Sequence, residues 1–118
     1  MATHNDTGHW GEDRAAEYLI ERGYQILEKN FKDQHREIDL IVTKDKMLVF
    51  VEVKTRSGTG FGLPEEFVNY TKAQLIKKAA ENYIYQVDWQ HDIRFDIIAI
   101  LILPNGHMDI RHVEDAFY

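Results

Sequence analysis

The chain has 118 residues, which suits one domain with a single core, and 44% of them are hydrophobic. It has no cysteine, which excludes disulfides and thiol chemistry, and no apolar run long enough to span a membrane. We therefore expect one cytoplasmic domain over residues 1–118, with residues 1–7 flexible and no signal peptide. The net charge of −6 argues against bulk electrostatic coating of nucleic acid but not against a nuclease.

The first predicted element is a helix over residues 8–22, in which apolar residues recur at helical spacing. Glu12 lies in line with the apolar side of this helix. It is therefore either a first-turn acid that the helix dipole favours or a member of a functional site. Gly23 is expected to end the helix. A strand over residues 24–31 and a polar turn over residues 32–35 follow.

Residues 36–56 predict two strands, because Val, Ile, Leu and Phe dominate both arms around a tight turn at Asp45-Lys46. A two-residue turn puts Asp39 opposite Glu52 and sets the register of the hairpin. Side chains alternate along a strand, so Ile38, Leu40 and Val42 should share one face, opposite Glu37, Asp39 and Ile41. The charged residues that this register brings onto one face are Glu37, Asp39, Glu52 and Lys54.

Two carboxylates facing each other across a sheet repel, by roughly 4 kcal/mol at about 4 Å and an effective dielectric constant near 20. A shared proton, a neighbouring lysine or a cation can offset this repulsion. A hard divalent ion such as Mg²⁺ takes one or two carboxylates together with water and phosphate oxygens. The simpler alternative for Glu52 and Lys54 is a cross-strand salt bridge.

Asp39 with Glu52-Val53-Lys54 resembles the PD-(D/E)xK nuclease core, with Ile38 where that core usually has proline. A closer similarity is to the YraN family of small bacterial proteins, which itself resembles archaeal Holliday-junction resolvases. The similarity spans nearly the whole chain, although Arg36 stands where the family usually has glycine. The positions that carry it are Gly11-Glu12, Ala15-Ala16, Gly23-Tyr24, Asn30-Phe31, Glu37-Ile38-Asp39-Leu40-Ile41, Val49-Phe50-Val51-Glu52-Val53-Lys54-Thr55-Arg56, Phe61-Gly62, Lys72 and Arg94-Phe95-Asp96.

The resemblance implies a metal-dependent nuclease that hydrolyses phosphodiester bonds in nucleic acid, chiefly structured or branched DNA. Asp39, Glu52, Glu12 and the carbonyl of Val53 would then bind Mg²⁺ or Mn²⁺. Lys54 would orient the attacking water or help to deprotonate it. The same resemblance implies a homodimer, by analogy with enzymes that cut a junction twice, and no small-molecule cofactor.

Three basic residues are candidate phosphate contacts, namely Arg56, Lys72 and Arg94. Lys72 could instead reach the acidic cluster or extend over the helix end, and Arg94 could form a local salt bridge with Asp96. Residues 57–64 are rich in glycine and predict either a mobile lid or a plain connector. A helical region should begin at Pro64, and a capping box over residues 71–74 predicts the start of the main second helix. Glu37 and Gln74 are predicted to support the site.

Residues 94–103 form the most apolar run and predict a central strand covered on both faces. Asn105-Gly106 predicts a hairpin turn to a last strand over residues 107–113, with one helical turn after it. The order α-β-β-β-α-β-β predicts an α/β fold, a restriction-endonuclease-like mixed sheet between helices. Besides the nuclease, two functions remain open: a non-catalytic module that binds nucleic acid or protein, and a nuclease active only within a complex.

Overall fold

The computed structural model describes residues 4–60 and 68–117, with side chains from residue 9 onward. Within these residues, two helices and five strands follow in the predicted order, which confirms the α/β fold. The elements are α1 (His4–Glu21), β1 (Gln25–Asp33), β2 (Arg36–Lys44), β3 (Met47–Ser57), α2 (Tyr70–Val87), β4 (Asp92–Ile102) and β5 (Met108–Val113).

The five strands form one mixed sheet in the order β1-β2-β3-β4-β5. The pairs β1–β2, β2–β3 and β4–β5 are antiparallel, whereas β3 and β4 are parallel. A parallel pair needs a crossover connection, and α2 lies in the connection between β3 and β4. None of the helices in the described segments combines the length and hydrophobicity that a membrane span requires.

Two apolar clusters sandwich the sheet. On one face Ala15, Ala16 and Leu19 of α1 pack with alternate residues of the central strands. On the other face Ile76, Ala79 and Tyr83 of α2 pack with sheet residues whose side chains point to that face. The central-strand residues of the α1 cluster are Leu40, Val42, Val49, Val51, Ile98 and Ile100. The sheet residues of the α2 cluster are Ile38, Ile41, Leu48, Phe50 and Phe95.

The register predicted for the central hairpin is confirmed. Leu40 pairs with Val51 and Ile41 with Phe50, as a two-residue turn at Asp45-Lys46 requires. Both turn residues have positive φ, 51° for Asp45 and 64° for Lys46, which is the type I′ geometry that matches the twist of a hairpin. Local turn chemistry and strand pairing therefore agree.

Several predicted boundaries are wrong. The helix α1 begins at His4 rather than at residue 8. The strand β1 continues to Asp33, and the polar turn shrinks to two residues, 34 and 35. Residues 114 and 115 form a turn rather than the start of a helix, and the N–H of Ala116 donates to the carbonyl of Phe95.

The start of α2 also differs from the prediction. Its N-cap is Asn69, whose Oδ1 accepts a hydrogen bond from the N–H of Lys72 at 2.8 Å. Thr71, which the capping-box pattern favoured, already lies inside the helix. The physical reason is that an asparagine oxygen caps a helix at least as well as a threonine hydroxyl. The helical start predicted at Pro64 and the end of the glycine-rich segment lie outside the described residues.

Candidate metal centre

The candidate site lies where β2 and β3 separate. The paired positions of this ladder end at Leu40 and Val51, one step before Asp39 and Glu52. At the next step Oδ2 of Asp39 accepts a hydrogen bond from the N–H of Val53 at 2.8 Å. The side chain therefore satisfies a β3 backbone group that a strand carbonyl would otherwise satisfy, and this bond fixes the Asp39 carboxylate between the strands.

The regular alternation of side chains breaks at the same point. Ile38 packs in the α2 cluster together with Ile41, whereas Leu40 packs in the α1 cluster. Strict alternation would place Ile38 with Leu40, so the predicted face of Ile38 is wrong. Asn30, which lies opposite Asp39 on β1, has a φ of +53° and interrupts the regular pleat. This irregularity brings Asp39 next to α1.

A close approach of α1 to β3 delivers the next acid. A Cβ atom added to Gly11 would overlap Oγ1 of Thr55 on β3, so the helix lies against the strand at this point. A glycine permits such contact because it has no side chain. The following residue is Glu12, which hydrogen-bonds with Asn30 and Asp39. Gly11 therefore fixes the height at which Glu12 enters the site.

Three carboxylates meet here. Glu12, Glu37 and Asp39 each contribute an oxygen that lies within 4.8 Å of the other two. Oε1 of Glu12 is shielded from solvent and has no hydrogen-bond partner among the described residues. Burial raises the pKa of Glu12, and the charge of Glu37 raises it further, against hydrogen bonds with Asn30 and Asp39. Crowded carboxylates with an unsatisfied oxygen match the ligand set of a hard cation.

Asp39 belongs to this trio and also lies close to a fourth acid, Glu52. Burial raises the pKa of Asp39 to about 6, and Glu12 and Glu37 add to the rise, against the Val53 hydrogen bond and the charge of Lys72. Each neighbouring carboxylate disfavours the charged form of the others. A bound cation would reverse this effect by favouring the ionised form.

Glu52 is the fourth acid of the site. It is only 5% exposed, and its Oε1 lies 2.6 Å from Nζ of Lys72 in the first turn of α2. Burial raises the pKa of Glu52 to about 7, with a further rise from Asp39. Lys72 acts in the opposite direction through its charge and hydrogen bond, and Lys54 through its charge. Glu52 is therefore held by a lysine from α2 rather than from its own strand.

The structure thus gathers most of the predicted site residues and adds a member to the cluster. Glu37, predicted only to support the site, lies in the three-carboxylate cluster. The two-residue spacing of Glu37 and Asp39, which places both side chains on one face of β2, was the signal that could have identified it. Of the other predicted residues, Arg56 is exposed at the end of β3, and Gln74 is partly buried near the start of α2.

Arg94 belongs to a separate network. Its guanidinium forms two hydrogen bonds of 2.8 Å to Asp96 and one of 2.8 Å to the hydroxyl of Tyr24. Its Nη1 also lies 3.0 Å from Glu114. Of the two alternatives predicted for Arg94, the structure shows the salt bridge. His112 also joins this network, with its Nε2 2.7 Å from Asp96, and no sequence pattern indicated this contact.

A mixed sheet between two helices, with its central strands opening onto four clustered acids and a lysine, defines an α/β protein with a candidate cation site. The chain belongs to the family described as uncharacterised protein family UPF0102, which is the YraN family, and the family model matches residues 11–100.

Three relatives show how far this similarity extends. The chain is 49% identical to a UPF0102 protein of Flavobacterium psychrophilum, over 100% of the chain and 98% of the relative. The identity is 47% to a UPF0102 protein of Flavobacterium johnsoniae, over 100% and 98%. It is 44% to a UPF0102 protein of Bacteroides thetaiotaomicron, over 100% and 97%. The similarity therefore covers the whole domain.

Proposed function

We propose that this protein is a divalent-cation-dependent nuclease that hydrolyses phosphodiester bonds, with structured or branched DNA as its substrate. The observation that supports this proposal most strongly is the convergence of Glu12, Glu37 and Asp39, whose carboxylate oxygens lie within 4.8 Å of one another. Glu52 and Lys72 adjoin this cluster. The proposal also draws on the resemblance of Asp39 and Glu52-Val53-Lys54 to the nuclease core.

The residues fit a hard divalent cation. Mg²⁺ and Mn²⁺ favour oxygen ligands, and every acid of the cluster offers carboxylate oxygens. The unpartnered Oε1 of Glu12 provides an acceptor that no described protein donor uses. Asp39 and Glu52, the backbone carbonyl of Val53, and Glu12 with Glu37 are the groups that would hold the ion. When bound, it supplies Lewis-acid activation of water and neutralises phosphate charge.

The remaining side chains divide between water and phosphate. Lys54 lies near enough to Glu52 for its charge to lower the pKa of that acid, and it would orient the attacking water. Lys72, in the first turn of α2, would stabilise negative charge that develops on the phosphate. Arg56 is exposed at the end of β3 and would contact the backbone of the nucleic acid. Arg94 would not contribute, because Asp96 and Glu114 hold it.

A non-catalytic module that binds nucleic acid or protein is the second candidate function. The ion pair between Glu52 and Lys72 favours it, because the chain itself supplies a counter-charge for the most buried acid of the site. The net charge of −6 also favours it, since a protein partner needs no basic surface. Under this function the acids would be structural.

The test is a cleavage assay on branched, single-stranded and duplex DNA, with matching RNA, in the presence of Mg²⁺ or Mn²⁺. We expect cleavage of at least one branched substrate by the wild-type protein. Asp39→Asn should remove it, because the amide keeps the size of the side chain but not its charge. Asp109→Asn on β5, an exposed position, is the matched control and should cleave normally.

The two functions give different results in this assay. Equal cleavage by Asp39→Asn and wild type would exclude the proposed site. Binding of a branched substrate without cleavage under every ion condition, and with the same affinity for both proteins, would favour the binding module. Calorimetry with Mn²⁺ alone gives a second criterion, since the module predicts no heat of binding.

A further inference from the structure

Lys72 holds the position of a counter-ion inside the site. Its Nζ lies 2.6 Å from Oε1 of Glu52, which is almost completely buried. The charges of Asp39 and Glu37 also act on Lys72, so its ammonium group faces the wider acidic cluster. In this arrangement a protein side chain does part of the charge balancing that a bound cation would otherwise do.

The lysine can leave this position more easily than the acid can. The backbone of Lys72 is fixed, because its N–H donates to Oδ1 of the N-cap residue Asn69. Its side chain, in contrast, is 40% exposed, and its ammonium group is carried on a flexible stem with access to water. Glu52 lies on a strand whose neighbours in the sheet include Ile97 on β4. Exchange of the counter-ion would therefore move Lys72 and leave Glu52 in place.

We infer that Lys72 competes with the divalent cation for Glu52 and that, once displaced, it becomes a phosphate ligand. This inference rests on the proposed function. The ammonium group of Lys72, 2.6 Å from Oε1 of Glu52, would repel a divalent cation bound to the same carboxylate, which favours exchange of one for the other. The released ammonium lies at the rim of the same site, where it can bind a phosphate as a point charge. Cation binding would thus expose the group that receives the substrate.

Calorimetry of Mg²⁺ binding without nucleic acid tests this competition. The titrations are run at about pH 9, because burial raises the pKa of Glu52 to about 7 and loss of Lys72, which lowers that pKa, would raise it further. We expect Lys72→Met to bind Mg²⁺ about tenfold more tightly than the wild type, because the competing charge is gone. Lys78→Met, an exposed lysine of α2 that lies 4.0 Å from Glu81, is the matched control and should bind like the wild type.

Two further variants separate competition from a structural effect. Lys72→Arg keeps the positive charge and should restore wild-type affinity. In a Glu52→Gln background, Lys72→Met should change the affinity far less, because only the longer-range effect of Lys72 on Asp39 and Glu37 remains. Unchanged or weaker Mg²⁺ binding by Lys72→Met would overturn the inference, whether or not the protein cleaves DNA. A protein that binds Mg²⁺ as described but cleaves nothing would contradict only the proposed function.

A measurement on the wild-type protein does not depend on how the variants fold. The ammonium signal of Lys72 in ¹⁵N-labelled protein should shift as Mg²⁺ is added, and the signal of Lys78 should stay constant. A constant Lys72 signal in the presence of saturating Mg²⁺ would overturn the inference.

Discussion

Asp39 connects the two halves of the candidate site. It accepts the N–H of Val53, it hydrogen-bonds with Glu12, and it raises the pKa of Glu52. A carboxylate in this position stabilises the opening of the hairpin through one hydrogen bond but carries an unfavourable buried charge. Its cost and its chemistry have the same origin, since the crowding that raises its pKa also attracts a cation.

This crowding predicts how stability depends on pH. The pKa of Asp39 rises from 3.8 to about 6 on folding, so the folded state binds the proton more tightly. That contribution is complete below about pH 4 and is lost as the pH rises through about 6. Asp39→Asn removes the charge and should stabilise the protein at pH 8 by about 1 to 3 kcal/mol, with a small effect at pH 4.

Urea unfolding in EDTA at both pH values measures this difference, with Asp109→Asn as the control. In the presence of Mg²⁺ the order should reverse, because ligand binding stabilises the wild type and not the variant. An Asp39→Asn protein that is less stable than the wild type at pH 8 in EDTA would contradict the electrostatic description of the site.

At the scale of the elements, the contact between α1 and β3 sets the geometry of the site. A side chain at position 11 would overlap Thr55, and the next residue along the helix is the proposed ligand Glu12. Gly11→Ala should destabilise the protein by about 1 to 2 kcal/mol through overpacking, despite the better helix propensity of alanine. It should also weaken Mg²⁺ binding, because α1 moves away from Asp39. Chemical denaturation and calorimetry measure the two effects.

Two variants serve as controls for this contact. Gly60→Ala should be neutral, because a Cβ at that position meets open space. Adding Thr55→Ala to Gly11→Ala removes the overlapping hydroxyl and should recover much of the lost stability and affinity. A Gly11→Ala protein with wild-type stability and wild-type Mg²⁺ binding would show that the helix does not need this close approach.

The central hairpin shows how far sequence patterns reach. Apolar alternation and a two-residue turn were sufficient to predict the register that pairs Leu40 with Val51. They could not predict the reversal at Ile38, because it depends on the left-handed residue Asn30 on a neighbouring strand. The sequence also could not decide which lysine pairs with Glu52. Lys54 lies on the same strand, whereas Lys72 comes from a helix twenty residues away, and both had plausible reach.

At the scale of the whole molecule, a second buried network joins the distant parts of the chain. Asp96 is fully buried and contacts Arg94, His112 and the N–H of Asp115. Burial favours its neutral form, but these contacts more than offset it, so its pKa is lowered. The network fastens β5 and the C-terminal turn to β4. It therefore closes the edge of the sheet farthest from β1.

Loss of this charge should be severe. Asp96→Asn leaves Arg94 without its main partner and should cost about 3 to 5 kcal/mol at pH 7. Asp92→Asn, an exposed position at the start of the same strand, should be close to neutral. Because the pKa of Asp96 is lowered on folding, its contribution is present above about pH 4 and is lost as the pH falls further. Urea unfolding that shows a cost under about 1 kcal/mol at pH 7 would contradict this role.

The buried and clustered acids of the molecule differ in how many cationic side chains balance their charge. The network at Asp96 contains its own cations, whereas in the described part of the chain the cationic side chains that lower the pKa values of the trio are His9, acting on Glu12, and Lys72, acting on Asp39. The sequence indicated Asp39, Glu52 and Glu12 as site residues through type and spacing. The two-residue spacing also placed Glu37 on the face of Asp39, but spacing alone does not show which carboxylates meet, because that depends on the separation of β2 from β3.

The most direct measurement of the central claim is anomalous scattering from crystals soaked in Mn²⁺. The account predicts a peak about 2.1 Å from a carboxylate oxygen of Asp39, with Glu12, Glu37 or Glu52 as further ligands, and loss of that peak in Asp39→Asn. A saturated crystal without a peak between these acids, or one with Mn²⁺ bound only elsewhere, would contradict it.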